Sequence, residues 1–467
     1  MRAKILDLAI RGKLTDQRQE DGNARDLLKE IQAEKERLIK EKKIKKEKPL
    51  PEITEEEKPF EIPDSWEWVR LGEIIELQSG QDFPKSKYSD TDKEGIPYIT
   101  GASCFTKNGV LENRWTRFPK CIATKGDILL VCKGSGYGKI TICNLQEVHI
   151  ARQIMAIKRN EYLNLSYIES FLMARIKLIK ENGQGLIPGI SRDIVLNLLF
   201  PLPPLAEQQR IADKVSALFA QLDVIDKAYE EYRELQQAMK SKLLELAIQG
   251  KLTDQRDEDG DARDLLKEIQ AEKEKLIKEK KIKKEKPLPE ITEEEKPFEI
   301  PNSWEWVRWG TLSTSIKYGY NTSAQKDGKI KMVRISDIQN NQVNWDSVPF
   351  CNISNEEITQ YLLRKNDILF ARTGGTVGKS YLVPEVPENV VYAGYLIRTR
   401  YSEKLSPQYL KYFMESYLSW SQLKKGTTIT AQPNCNAKTL GKMVLPLPPL
   451  AEQQRIVAKL DEMLPLL

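Results

Sequence analysis

The stretch "PLPPLAEQQRI" occupies Pro201–Ile211, and the same eleven residues return at Pro446–Ile456. The copies lie 245 residues apart, so they are not a short tandem motif. Repeats with long periods signal an architecture written twice. A second, longer repeat supports that reading. Lys4–Arg70 reappears as Lys242–Arg308 at an offset of 238, with about nine positions in ten identical and mild changes such as Ile5 to Leu243 and Asp64 to Asn302.

Two segments between the repeats, roughly Trp66–Phe200 and Trp304–Leu445, share only a sparse skeleton. Its clearest part is "GDILLVCKGSGYGK" (Gly126–Lys139) against "NDILFARTGGTVGK" (Asn366–Lys379). One framework is thus kept in two copies while two inserts diverge. The pattern suggests a single scaffold presenting two different readers.

The repeated blocks read as helices. After the prolines, apolar or aromatic residues fall at Ile211, Val215, Leu218, Leu222, Ile225, Tyr229, Tyr232, Met239, Leu243 and Leu246, with Gln236 as the polar member. Steps of four and three over about five heptads argue for a coiled-coil helix of roughly 60–70 Å, with the stripe as its core. "ARDLLKEIQAEKEKLIKEKKIKKEK" reads as a second amphipathic helix with a solvated, mixed-charge face. "PLPEITEEEKPFEIP" reads as an extended linker.

By the two offsets Leu467 corresponds to Leu222, and Met1 to Met239. Joined end to end, the termini would rebuild a second long helix lacking about sixteen residues, the counterparts of Asp223–Ala238. The expected architecture is a cyclically arranged repeat with an approximate two-fold axis and one helix shorter than its mate. The expected divisions are a helical region 1–48, a linker 49–64, a first reader 65–202, a central helical spacer 203–286, a linker 287–302, a second reader 303–447 and a short helix 448–467.

A chain of 467 residues has room for two to four domains by its length. There are six cysteines, none in a C-x-x-C pair, and one histidine, His149. The cysteines suit reduced, mostly buried thiols rather than a zinc site. A single histidine argues against much ordinary acid–base catalysis, for which histidine is the usual base near neutral pH. No G-x-S-x-G, H-E-x-x-H or dinucleotide-binding fingerprint occurs, and "TGGTVGKS" (Thr373–Ser380) has threonine where a Walker loop needs glycine. No apolar run approaches the roughly 18 residues that span a membrane, and "MRAKILDLAIRGKL" lacks a signal-peptide core. The expectation is a cytoplasmic protein.

Charge follows the same division. Trp66–Phe200 carries 18 Lys/Arg against 14 Asp/Glu, a net +4, and Trp304–Leu445 carries 18 against 11, a net +7. The whole chain has only +5, so the scaffold is acidic by about −6. Basic variable segments on an acidic scaffold are the footprint of a polyanion-binding protein.

In order and twice over, these residues resemble the specificity subunit of type I restriction–modification enzymes, across essentially the whole chain. The carriers are "IPDSWEWVRLGEI" (Ile62–Ile74) with "IPNSWEWVRWGTL" (Ile300–Leu312), "GDILL" with "NDILF", "FPLPPLAEQQRI" with "LPLPPLAEQQRI", and "LAIRGKLTDQ" with "LAIQGKLTDQ". The resemblance implies an α+β fold: two globular α/β target-recognition domains separated by long antiparallel coiled-coil helices in a pseudo-two-fold cyclic repeat. Each domain would read one half of an asymmetric bipartite site on double-stranded DNA. The helices would act as a ruler and dock two adenine-methyltransferase subunits through Ile211, Val215, Leu218, Leu222, Tyr229, Tyr232 and Leu243. Motor–nuclease subunits would join for cleavage. The chain would be non-catalytic and carry no cofactor or metal, with S-adenosylmethionine, ATP and magnesium on the partners. Two rival readings are the specificity subunit of a related bifunctional restriction system that cuts outside its site, and a non-enzymatic coiled-coil DNA-binding scaffold.

Base reading needs donors and acceptors on polar loops that enter a groove, with phosphate contacts to set register. In the first reader the candidates are Lys133, Ser135, Tyr137 and Lys139 of the turn "KGSGYGK", and Asn182, Gln184, Ser191 and Arg192 of the loop "ENGQGLIPGISR". In the second they are Arg372, Thr373, Thr376 and Lys379 of "RTGGTVGK", then Lys424, Lys425, Thr427, Thr428, Gln432 and Asn434 of "KKGTTITAQPNCN", with Arg334 and Asn340 of "VRISDIQNN".

Overall fold

The eleven repeated residues form the same joint in both halves of a computed structural model, which describes residues 1–467 except 135, 183–188, 373–377, 387–388 and 427–434. Leu199–Leu202 pairs antiparallel with Glu67–Arg70, and Val444–Leu447 pairs antiparallel with Glu305–Arg308. Two-stranded sheets of this kind tolerate Pro201 and Pro446, since an edge position can lack its N–H. Two more prolines follow, and each helix starts directly after them, at Leu205 and Leu450. The fixed proline φ suits the approach to a first helical turn.

The next letters each have a partner. Glu207, buried, accepts from Trp66 Nε1 at 2.7 Å, Gln17 Nε2 at 2.6 Å and Thr15 Oγ1 at 3.1 Å. Glu452 accepts the same three bonds from Trp304 (2.6 Å), Gln255 (2.6 Å) and Thr253 (3.1 Å). Gln208 and Gln453 donate back to Pro203 O and Pro448 O, both at 2.9 Å. Arg210 reaches Asp21 and Asp16 O, and Arg455 reaches Asp259 and Asp254 O. Ile211 and Ile456 end the motif inside the cores. The buried tyrosines Tyr167 and Tyr409 donate to Pro201 O at 2.9 Å and Pro446 O at 2.7 Å.

The linkers are pinned by a second pair of buried side chains. Arg70 donates to Pro51 O, Glu52 O and Asn197 O and pairs with Glu57 at 2.9 Å. Arg308 donates to Pro289 O, Glu290 O and Lys442 O and pairs with Glu295 at 2.8 Å. Each linker is extended apart from one three-residue 3-10 turn, Glu55–Glu57 or Glu293–Glu295, and that turn supplies the carboxylate.

The chain forms two units, Met1–Tyr229 and Glu230–Leu467. In the first, helices Arg2–Ile10 and Ala24–Lys40 pack with Leu165–Asn182 and the start of the helix Leu205–Ile248 around Trp66, Phe171 and Phe200. In the second, Ala262–Lys278, Pro407–Glu415, Leu450–Met463 and the end of the same 44-residue helix pack around Trp304, Trp309 and Phe413.

The divergent inserts share one sheet order. The first unit has an antiparallel sheet in the order Leu77–Ser79, Ile154–Ile157, Ile128–Val131, Ile140–Ile142. The second repeats it as Ser313–Tyr318, Leu396–Tyr401, Ile368–Ala371, Ser380–Leu382. A second sheet in each unit contains one parallel pair, Ile96–Ile99 with Glu147–Ile150 and Ile330–Val333 with Val390–Tyr392.

The apolar stripe of the long helix differs from the expected continuous core. Ile211, Val215 and Leu222 are buried, Leu218 and Leu243 are half-buried, and Leu244, Ala247 and Ile248 close the far end. Between them Ile225, Tyr229, Tyr232 and Met239 are exposed. The ends of the helix are covered by the cores of the units they belong to; heptad spacing alone does not distinguish those ends from the middle.

Removing the carboxylate of the joint orphans three donors, one of them the N–H of the buried Trp66 indole. Glu207→Ala is expected to destabilise the first unit by about 2–4 kcal/mol in chemical denaturation, since each buried unpaired donor costs about 1–3 kcal/mol. Glu295 is held down at about 2 by Arg308, whose hydrogen bond is the first cause, and Glu57 is lowered by the Thr54 backbone N–H and then by Arg70. A depressed carboxylate stabilises the fold above its unfolded pKa and loses that contribution as pH falls through the folded value. Stability conferred by the Arg308–Glu295 tie should therefore fall between about pH 4.5 and about pH 2, and Glu295→Gln should flatten that part of the melting temperature–pH curve.

Candidate nucleic-acid interface

The motif shared by the two inserts builds a hairpin. Asp127 and Asp367 are buried immediately before the strands Ile128–Val131 and Ile368–Ala371. Asp127 accepts from Thr124 N and Arg159 N, both at 2.8 Å, and pairs with Lys158 at 2.5 Å. Asp367 accepts from Arg364 N at 2.9 Å and pairs with Arg400 at 2.7 Å. These acids lock the base of the hairpin. At the other end Gly138 (φ +86°) and Gly378 (φ +95°) return the chain, donating to Val131 O and Ala371 O.

His149 is structural too. It is buried and stacked on Phe83 with centroids 4.2 Å apart. Its Nε2 lies 2.8 Å from Gln81 O, and Nδ1 accepts from Lys120 N and Cys121 N. Burial pushes its pKa down and keeps it neutral. The six cysteines are free thiols, five of them buried.

In the first unit Lys133 and Lys139 are exposed on the hairpin, and Tyr137 is half-buried with the Lys180 ammonium 5.1 Å from its ring centroid. Asn182 ends a helix rather than standing in a loop, because the helical pattern of Leu165 onward continues to it. Ser191 caps the helix Arg192–Leu196 by accepting from Ile194 N at 3.3 Å. Arg192 is engaged by Leu77 O and Glu47. In the second unit Arg334 is bidentate to Asp337 at 2.7 and 3.0 Å. Asn340 sits exposed at a tight turn with φ +51°. Lys379 is exposed, and Lys424 and Lys425 lie in the last turn of the helix Tyr417–Gly426 instead of a loop. Arg372 lays its guanidinium 4.6 Å from the Tyr318 ring centroid and donates to Gly394 O at 3.4 Å. Ser135, Gln184, Thr373, Thr376, Thr427, Thr428, Gln432 and Asn434 lie outside the described residues.

Sequence reasoning passed over the turn that carries the chain from one sheet to the other. In the first unit it is Ala151-Arg152-Gln153, with Arg152 and Gln153 exposed. In the second it is Ala393-Gly394-Tyr395, with Tyr395 64% exposed. It lacks the glycine-rich signature that drew attention to the hairpins; aligning "HIARQIM" with "VYAGYLI" would have found it.

The family described as type I restriction modification DNA specificity domain matches residues 63–231 and 301–464, one copy per half. The chain belongs to this family. It is 31% identical to the type I restriction enzyme EcoAI specificity subunit of Escherichia coli, over 99% of this chain and 88% of that one. It is 28% identical to the EcoEI specificity subunit of Escherichia coli over the same shares. Its fold is similar to a chain from a solved type I R-M system, with a TM-score of 0.56 and 21% identity over 87% of this chain and 91% of that one. Among the described residues no helix is long and apolar enough to cross a membrane.

Lys139 and Lys379 occupy matched ends of the two hairpins, where their carbonyls accept from Val131 N and Ala371 N at 2.9 Å. Exposed and identical in type, they suit a contact that does not depend on base sequence. Lys379→Ala is expected to weaken binding to all DNA sequences alike and to lower the salt slope by about one. Titration of binding against salt at two unrelated sequences checks it.

Proposed function

We propose that this chain is the DNA-reading, non-catalytic specificity subunit of a type I restriction–modification complex, each unit reading one half of an asymmetric bipartite site. The observation that carries the proposal is the family match in both halves, set on two inserts that share the order of one four-stranded sheet and diverge in sequence. Divergent readers imply different half-sites. The first unit would touch DNA through its hairpin, with Lys133, Tyr137 and Lys139, and the second through Arg372, Lys379 and the end of the helix bearing Lys424 and Lys425. The net charges of the inserts, +4 and +7, favour a polyanion on these domains rather than on the acidic scaffold.

Two adenine-methyltransferase subunits would dock along the long helix, and motor–nuclease subunits would join them. S-adenosylmethionine, ATP and magnesium would be held by those partners. Of the residues assigned to docking from the sequence, Tyr229 and Tyr232 are exposed and available to a partner, whereas Ile211, Val215 and Leu222 are spent on the unit core. An assembly of this kind would work in the cytoplasm, where chromosomal DNA is.

Co-expression with a methyltransferase subunit of the type I class from the same genome, in a host without adenine methylation, tests the proposal by sequencing modified bases. The expected product is a gapped, asymmetric methylated motif that disappears when this chain is omitted. A motif that persists without the chain, or none with it, would refute the assignment. Ile225→Glu with Tyr229→Glu should abolish co-purification of the methyltransferase while leaving the melting temperature of the chain unchanged.

A further inference from the structure

The turn between the two sheets is bonded in the same way in both units. Ala151 N donates to Ile99 O and Ala393 N to Val333 O, each at 2.9 Å. Cys132 N donates to Gln153 O and Arg372 N to Tyr395 O. Gly80 N and Gly319 N donate to Ile154 O and Leu396 O, each at 3.0 Å. A Cβ on Gly80 would stand 2.1 Å from Ala151 O, and one on Gly319 2.3 Å from Ala393 O. The strand end therefore presses on the turn, and only glycine fits there. These bonds pair Arg152 with Gly394, and Gln153 with Tyr395.

Backbone geometry is thus held constant while the side chains change in kind. In the first unit the turn presents a guanidinium and an amide. Arg152, with 70% of its side chain exposed, is steadied by Asp82, which accepts from Arg152 N at 3.0 Å and pairs with Nε at 3.2 Å. In the second unit the turn presents a phenol ring, and Arg372, stacked on Tyr318, donates to the turn at Gly394 O and Tyr395 O. Core packing does not explain the exchange, because Arg152, Gln153 and Tyr395 are exposed. Phosphate contacts carry no sequence information, so a change of residue kind on a constant backbone suits a contact to bases.

We infer that this turn is a specificity-determining element of each unit: Arg152 and Gln153 read base edges in one half-site, and Tyr395 makes the apolar or stacking base contact in the other. The inference rests on the DNA-specificity reading above. Arginine and glutamine match the major-groove edges of guanine and adenine, and an aromatic ring suits a thymine methyl or a base face.

Methylation maps of three chains, each co-expressed with the same methyltransferase, test it: the unaltered protein, Arg152→Ala/Gln153→Ala, and Tyr395→Ala. The double variant should relax one or two positions of one half-site, with discrimination there falling roughly ten- to hundredfold, and leave the other half and the spacer as they were. Tyr395→Ala should relax the opposite half-site alone. An unchanged motif in both variants would overturn the inference. So would a uniform fall in methylation at every site with no base relaxed, accompanied by unchanged melting temperatures, since that marks a phosphate contact. A lowered melting temperature with an intact motif would assign the turn to folding. If the unaltered chain itself directs no motif, the proposed function fails, and the inference falls with it.

Discussion

One buried carboxylate per unit organises the rest. Glu207 and Glu452 sit in the first turn of a helix and collect an indole, an amide and a hydroxyl from segments that are otherwise distant in sequence. The tryptophan fixes where the insert begins. The glutamine and threonine fix the loop before the amphipathic helix. The helix itself leaves from the end of the insert. A buried acid of this kind is costly unless its acceptor sites are filled, so all three segments must arrive together. Burial raises the pKa of both carboxyls and the donors oppose that rise. Within the eleven repeated residues, the first proline, the glutamate, the first glutamine, the arginine and the isoleucine each have a partner in both units, and those partners are repeated too.

With the frame closed, the insert needs only to keep a few internal bonds. Asp127 and Asp367 hold the hairpin base, Gly80 and Gly319 let a strand end press on the crossing turn, and Gly138 and Gly378 close the hairpin tip. Outside these points and the buried cores of the inserts, exposed positions can vary while the shared sheet keeps its strand order. That division explains how a reading surface can diverge almost completely on a scaffold that hardly changes.

The repeat architecture, the opening strands, the linkers and the structural nature of the lone histidine's surroundings differ in how readily they appear in sequence. The helices after "PLPP" and the glycine-rich turns after "DILL" and "DILF" were legible, because proline and glycine each impose local geometry; "EWVR" was legible as the opening of each insert but not as a strand. The stripe was legible only as a period: nothing in its spacing separates Ile211, buried, from Ile225, exposed. Ser191 and Arg192 read as polar loop residues but serve as a cap and a brace, since the partner carbonyl of Leu77 is more than a hundred residues away. Lys424 and Lys425 read as loop but extend a helix. The turn carrying Arg152 and Tyr395 was missed because its constraint lies in the glycine of another strand.

The central claim is that the frame is generic and the inserts alone choose the sequence. Replacing residues 71–198 with residues 309–443 would place the second insert in both frames, keeping both opening strands and both "PLPPLAEQQRI" joints. Methylation mapping of that chimera with the same methyltransferase is the most direct test. The account predicts a folded chain that directs methylation to a site with two identical half-sites, each the one formerly read by the second unit. A chimera that does not fold, or one that keeps the original asymmetric motif, would contradict it.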